Sequence, residues 1–581
     1  MKDSKIILIF AAVLLLLGAA YAYTSEGIVS AEVREDTVLP EEYAPRFSAQ
    51  TGFYDEPFFL TISCPVRGAE IYYTMDGSVP SEESAHYEAP IPLTDRTPQP
   101  NVLSALAGVC PDGDFLPSEP VLKGNVIRAM AVLPDGSRSR VTNGTYFIGT
   151  DREESVGSLP VISMYADPQD LFSHERGIYV LGKIYEDHIM SEGAPGTDGS
   201  DEEGLYGNCF MRGREWERPA AMDYIPVNPE EKGFSTDIGV RIMGGSSRAY
   251  MQKSFRLKCR SEYGDKNIYY DLFGDGHTKH KSFLLRNGGN DYDYARFRDP
   301  MLQELVSDRD IETQASVPAV LFIDGEYWGL YAMTEDYDGH YIENRGYGVK
   351  AENVVMIKNG TVEEGTDADI TLFNDMVDYI TGNDMSDESC YDTACSMLDM
   401  QSFADYCAFN IYIDNKDSFF TNDNNWLMWR ARVPDQNKEK GDGRWRMMVY
   451  DTDYSTGIYE NGEDYGGDTL GDVLEGSSDA TGSRLLRALV KNDRFAKLFS
   501  DSLYDMRNSC FERERVKEAV SRYLSEYEKP MYDTYERFGP GERLWGDPAE
   551  YYNMRVGELA GWLDGRYETF AGRIVDYENM W

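Results

Sequence analysis

The sequence predicts an α+β protein in which an all-β sandwich precedes a larger body that is β-rich first and helical later. Three observations carry this. Residues 46–148 alternate apolar and polar positions in short runs broken by Asp-Gly and Pro, the pattern of half-buried strands closed by turns. From residue 236 the alternation returns in longer strands around glycine turns. Beyond about residue 480, three segments carry apolar residues at helical spacing. The length of 581 residues suggests three or four domains, and a hydrophobic content of 41% is enough to build cores rather than a disordered chain.

The chain opens on residues 1–22, where Lys2 and Lys5 precede an apolar run from Ile6 to Ala20 and Ala20-Tyr21-Ala22 has the small-x-small pattern of a cleavage site. This reads as a signal peptide; the run is also long enough for a marginal N-terminal anchor. Either reading exports the rest of the chain. The sandwich follows at 46–148, with strands expected in "PFFLTISC", "AEIYYTMDGSVPS", "NVIRAMAVLPDGSRSRV" and "NGTYFIG". A linker, "GTDREESVGS", sets it off at 149–158, and residues 188–235 read as an excursion of long loops rich in Gly, Glu, Asp and Pro.

In the main body, "DIGVRIMGGSSRAYMQKSFRLKCR" predicts strand, glycine turn and strand, and "HKSFLLRNGGND" a further strand entering a loop. "RDPMLQELVSD" predicts a helix with Asp299 as N-cap and Pro300 at the first helical position. "VPAVLFIDGEYWGLYAMTED" predicts a β-hairpin around Asp324-Gly325, in which Trp328 and Tyr331 belong to the core. Helical stretches are expected from there to "MQSFADYCAFNIYIDN". A hairpin of "NNWLMWRARV" and "RWRMMVYD" then precedes the last helices.

Composition and motifs exclude several functions. A net charge of -45 repels nucleic acid backbones and anionic membrane surfaces. Eight cysteines form no C-x-x-C pair, so neither a zinc ribbon nor a disulfide scaffold is indicated, although Cys64 with Cys110 and Cys390 with Cys395 are candidate bridges. Six histidines include no H-E-x-x-H, and there is no G-x-S-x-G elbow and no P-loop.

What remains is a cluster of acids and amides between residues 412 and 457: Asp417, then Asn422, Asn424 and Asn425, then Asp451 and Asp453. Phosphoryl transfer needs oxygen ligands for a divalent cation, a carboxylate to orient the attacking hydroxyl, and basic groups on the phosphates. Asp417 to Asn422 has the D-x-x-x-x-N step of a kinase catalytic loop after a helix, and Asp451 lies at the exit of the following hairpin.

Two stretches also resemble known families. "IYYTMDGSVPSEES" with "VIRAMAVLPDGSRSRVTNGTY" resembles the chitobiase/β-hexosaminidase C-terminal-type module, which carries no catalytic residues and implies a spacer or contact domain open to carbohydrate or cell-wall contact. "GVRIMGGSSRAYMQKSFRLK", "FLLRNGGNDYDYARFRDPMLQEL", "VLFIDGEYWGLYAMTED", "DNKDSFFTNDNNW" and "RWRMMVYDTDYSTG" resemble, in order and spacing, the CotH kinase family of spore-coat protein H-like atypical protein kinases. That resemblance spans 158–575. It implies an atypical protein-kinase-like two-lobed core that binds ATP with Mg2+ (Mn2+ as an alternative) and phosphorylates Ser or Thr of a protein substrate at the cell surface or spore coat.

Carried onto this chain, the resemblance makes Asp417 the catalytic base, and Asp451 with Asp453 metal ligands. Asn422 is favoured as the amide ligand by kinase spacing, Asn424 or Asn425 by nearness to the hairpin. Lys253 and Lys258 are the phosphate lysines, Lys253 matching the family's K-S-[FY]-R-L more closely. Arg241, Ser247 and Arg248 line the glycine turn, and Glu335 falls near the hinge. Arg248, Arg298 and Lys258 read equally as ion-pair or solvated strand positions. The chain departs from ordinary kinases in having no H-R-D before Asp417, no D-F-G, and "GGSS" for the glycine loop. Two other functions therefore stay open: a non-catalytic surface or spore-coat binding protein on the same scaffold, and a carbohydrate-associated surface protein.

Overall fold

The structure, a computed structural model, describes residues 40–192, 206–539 and 547–580. The leader or anchor expected at 1–22 lies outside them, and among the described residues no helix is long and apolar enough to cross a membrane.

The sandwich consists of a five-stranded sheet facing two short ribbons. The sheet runs in the order Gly52–Tyr54, Thr142–Ile148, Asn125–Val132, Glu70–Thr74, Ala85–His86. The ribbons pair Arg46–Phe47 with Ile62–Ser63 and Phe58–Leu60 with Ile91–Leu93. Leu60, Ile62 and Leu93 from the ribbons meet Ile71, Ile127, Ala129 and Tyr146 from the sheet in one small core. All eight cysteines are free thiols, so neither candidate bridge forms.

The β-rich half of the main body closes into a barrel of Val161–Ala166, Arg218–Ile225, Phe234–Met243, Ser254–Lys258, Ser282–Arg286, Glu326–Glu335 and Ser316–Ile323. Every pairing is antiparallel except the closure, where Val161–Ala166 runs parallel to Ser316–Ile323. Period-two alternation explains the closure. Ile162 and Met164, Ile238, Val240 and Ile242, Phe255 and Leu257, and Phe283 and Leu285 fill the barrel interior. The opposite set, with Val161, Val320, Phe322 and Leu330, packs under Met301, Leu302 and Leu305 in the helical core.

Several expectations change here. The region read as loops at 188–235 supplies a barrel strand, Arg218–Ile225. The Asp324-Gly325 hairpin is as expected, with both residues in the left-handed region (φ 47° and 86°) that suits the tight turn. The following segment is not wholly helical: Val354–Lys358 and Thr361–Glu364 form a hairpin turned by Asn359-Gly360 (φ 48° and 77°). It extends the expected hairpin of Trp426–Ala431 and Arg446–Val449 into a four-stranded sheet. Asn-Gly is the residue pair that such a turn requires.

The helix expected in "RDPMLQELVSD" starts at Arg298, and Asp299 is not its cap. Asp291 takes that role, accepting from the backbone N–H groups of Ala295 and Arg298. The Asp299 carboxylate is drawn instead onto the buried Arg286 guanidinium, 2.5 Å away, where it also receives Thr452 N–H and Oγ1. A charge-assisted bond inside the fold outweighs a terminal cap. The C-terminal helices, Thr481–Leu489, Asp493–Asp505, Arg513–Phe538 and Pro548–Glu578, wrap the helix Met400–Tyr412 that leads to Asp417.

The sandwich is also more than a spacer. Its Thr145 hydroxyl meets Ser163 and Tyr165 of the barrel, Thr51 donates to Asp223, and Phe147 packs on Phe322 with ring centres 4.6 Å apart. Glu326 accepts from Val102 N–H, Ser104 N–H and Ser104 Oγ. The expected linker contributes a short helix, Arg152–Val156, whose Val156 is fully buried in the main core.

Candidate functional site

A polar cavity of about 440 Å³ lies between the barrel and the helical half. Its floor is built by two loops. One follows Met400–Tyr412 and carries Asp417, Asn424 and Asn425; the other leaves Arg446–Val449 and carries Asp451 and Asp453. Its roof is the turn Gly244–Arg248 between two barrel strands, with Arg241 and Arg256 beside it. Backbone strain concentrates in the floor. Asp423, Asn425 and Asp451 all adopt left-handed φ values between 49° and 56°, a conformation that Asn and Asp tolerate best.

Three amides converge on Asp417. Asn422 Nδ2 donates to Oδ1 at 2.6 Å, Asn425 Nδ2 to Oδ2 at 2.8 Å, and Asn424 Nδ2 to both oxygens at 2.9 and 3.1 Å. Asn424 is itself held by Asn359, which reaches it from the unexpected hairpin turn. Asn424 and Asn425 line the cavity. Asn422 sits on the exposed outer side of Asp417 and does not, so the chain step that favoured it does not bring it to Asp451. The Oδ1 of Asn425 accepts no hydrogen bond among the described residues.

Across the cavity, Asp451 and Asp453 share one guanidinium. Arg286 Nη2 lies 2.6 Å from Asp451 Oδ1 and 3.5 Å from Asp453 Oδ2, while its Nη1 holds Asp299. Burial opposes the charge of Arg286, but Asp299, Asp451 and Asp453 outweigh it and hold the group well above arginine's ordinary value. For Asp453 burial dominates: with Asp451 adding repulsion, its carboxyl is pushed well above the usual range, and Arg286 only partly offsets this. Asp453 also accepts from Asn290 N–H, beside Gly289 at φ 56°. A Cβ on Gly289 would fall 2.1 Å from the Asp453 carboxylate, so the second glycine of "NGGND" is required by close approach.

The predicted basic groups divide. Arg241 and Ser247 line the cavity. Arg241 is anchored by Glu217 at 3.6 Å, and burial, then the nearby Arg256, lowers its pKa. Arg248 is consumed in building the turn: its nitrogens donate to the carbonyls of Gly244, Cys209, Met211 and Ile242, and burial pulls it down to about 10. Lys253 does not reach the cavity. It is fully buried, and Nζ donates to the carbonyls of Val109, Arg248 and Tyr250 at 3.1, 2.6 and 2.8 Å. Lys258 lies outside the cavity, paired at 3.6 Å with Asp338. Glu335 is likewise elsewhere, buried against Arg345 at 2.6 Å and Ala315 N–H.

Two further cations that face the cavity, Lys358 and Arg256, were not singled out in the sequence. Lys358 Nζ stacks 3.8 Å from the centre of the Tyr450 ring, and Arg256 is gripped by Asp336 at 2.6 Å, with Glu363 at 3.8 Å. The signal for Lys358 was present: it immediately precedes the Asn359-Gly360 hairpin turn.

The donor set fits a hard divalent cation. Asp451, Asp453 and the asparagine amides offer only oxygen to it. Among the described residues no three His, Cys, Asp or Glu side chains converge as a self-sufficient metal cage. Mg2+ is ordinarily held by one or two carboxylates together with substrate phosphates.

Comparison with known families gives the family directly. Residues 240–570 match the model of the CotH kinase protein family, and residues 60–146 match the Fn3 associated model. The chain belongs to the CotH kinase protein family and carries an extra N-terminal module. None of the curated proteins compared with it matches. Among solved structures, the extracellular domains 3–5 of Drosophila OTK align at 11% identity over 38% of this chain and 76% of that one, with a TM-score of 0.10 that carries no structural weight.

Proposed function

We propose that the chain is an exported, atypical Ser/Thr protein kinase that transfers the ATP γ-phosphate to a protein hydroxyl at the cell surface or spore coat. The two halves around the cavity would serve as the lobes of a kinase-like core. The observation that carries this reading is Asp417, oriented by three amides and facing Asp451 and Asp453 across one cavity roofed by a glycine turn.

In this reading the Asp417 carboxylate orients the acceptor hydroxyl and accepts its proton. Its oxygens are already occupied by amide donors, so the acceptor displaces one of them, and Asn422 on the exposed side is the one free to yield. Asp451 and Asn425, with Asp453 behind them, would hold Mg2+ (or Mn2+), which supplies charge neutralisation on the phosphates when bound. Lys358, Arg241 and Arg256 would face the phosphate oxygens in the places first given to Lys253 and Lys258. The Gly244-Gly245 backbone lets the turn approach them closely.

The test is transfer of labelled γ-phosphate, to the protein itself and to a Ser-rich basic protein, by wild type and Asp417→Asn with Mg2+. Loss of roughly 10²-fold or more in the variant, with unchanged melting temperature, supports the assignment. No transfer and no ATP-dependent thermal shift in wild type overturns it. The alternative, a non-catalytic binding protein on this scaffold, is favoured by one observation: Arg286 already neutralises Asp451 and Asp453 internally.

A further inference from the structure

A second cavity, of about 580 Å³, shares no lining residue with the first and lies where the sandwich, the barrel and the helix Arg513–Phe538 meet. Phe115, Pro117 and Pro120 of the sandwich, Tyr327 of the barrel and Tyr535 of the helix give it an apolar wall, and Arg537 completes it.

Arg537 is 3% exposed, yet its Nε and Nη1 have no hydrogen-bond partner and no carboxylate pairs with it among the described residues. Its guanidinium is held by rings, 4.3 Å from the centres of both Trp328 and Phe538. Glu326, the acid acting on it at range, is already taken by Val102 and Ser104. The helix C-terminus beside it offers about half an elementary negative charge, which offsets the guanidinium only in part. The Tyr535 hydroxyl, also buried, likewise has no partner. In a chain of net charge -45, a buried cation with no anion among the described residues is an exception that a ligand would resolve.

The acids around the cavity define the ligand further. Asp533 is neutralised by Lys529 at 2.8 Å, whereas Glu119 and Glu536 are exposed at the rim. The interior is therefore cationic and apolar, and the mouth is anionic. Polyanions such as nucleotides are repelled at the rim, while a single carboxylate on an apolar body meets the guanidinium inside.

We propose that this cavity is a binding site for an apolar monocarboxylate, with Arg537 as its anion-recognising residue. The proposal is independent of the nucleotide reading.

The test is calorimetric titration and thermal shift of the full chain with benzoate and hexanoate, using methyl benzoate and citrate as controls. Both carboxylates should bind and raise the melting temperature, and neither control should. Arg537→Gln should weaken binding about tenfold or more, the worth of a charge-assisted hydrogen bond. Ser155→Trp, which fills the cavity from the half-buried rim without touching Arg537, should abolish it while leaving the unliganded melting temperature unchanged. If Arg537→Gln does not fold, Ser155→Trp decides alone. The proposal is overturned if neither carboxylate binds, if methyl benzoate or citrate binds as tightly as benzoate, or if Ser155→Trp binds like wild type.

Discussion

Lys253→Met separates a structural lysine from a phosphate-binding one. Lys253 Nζ donates to three carbonyls, from Val109 in the 46–148 sandwich region and from Arg248 and Tyr250 at the end of the glycine turn. Burial lowers its pKa, so the site gives up part of the Coulomb gain to desolvation. A hydrogen bond to a charged group contributes about 1.5–3 kcal/mol, and three of them less desolvation leave a net cost of about 3–5 kcal/mol on truncation. Methionine fills the volume but leaves three buried acceptors unpaired. For a body of this size that corresponds to a fall in melting temperature on the order of 5 °C. The assay is urea unfolding and calorimetry of wild type and variant, with affinity for a non-hydrolysable ATP analogue measured on the folded protein at low temperature. A variant that melts within a degree or two of wild type, but binds nucleotide tenfold more weakly, would refute this assignment and return Lys253 to the phosphates.

Lys358→Met should behave oppositely, raising the Kd for the same analogue about tenfold with little change in melting temperature; equal affinity would remove Lys358 from the site. Gly289→Ala should cost at least about 1–2 kcal/mol from its left-handed backbone alone, and should displace Asp453 enough to abolish phosphate transfer. Chemical denaturation and the transfer assay check both halves. Asp237 is raised to about 6, chiefly by burial and then by Asp265, with Arg140 and Arg128 opposing. Because its folded value lies above the unfolded one, its contribution to stability is full below pH 4 and is lost as pH rises through 6. Wild type should therefore gain about 1–3 kcal/mol relative to Asp237→Asn between pH 7 and pH 4.5. Parallel melting curves across that range would show that the carboxyl is not buried as described.

Much of this protein can be read locally. Period-two alternation in "GVRIM" and "SFRLK" foretells barrel strands, and Asp324-Gly325 foretells its hairpin, because side-chain direction and turn chemistry are decided within a few residues. The acid and amide cluster at 417–425 and 451–453 is likewise visible. Its residues lie on loops flanking a single hairpin, so short-range geometry brings them together.

Only tertiary structure decided which cations serve the cavity. Lys253 and Lys358 are both lysines at strand edges, and nothing local distinguishes them. Lys253 is claimed by carbonyls of the sandwich region and the glycine turn, 144 positions away in the case of Val109, whereas Lys358 is carried to the cavity of Asp417 by a sheet that pairs it with Leu427. The same holds for Asp299, whose cap-like position yields to Arg286, and for Arg286 itself, which holds Asp299 on one side and Asp451, 165 positions further along the chain, on the other. Capping and alternation are short-range energies of about 1 kcal/mol. Pairing a buried charge is worth several, and its partners are chosen by the closure of the barrel rather than by neighbours in the chain.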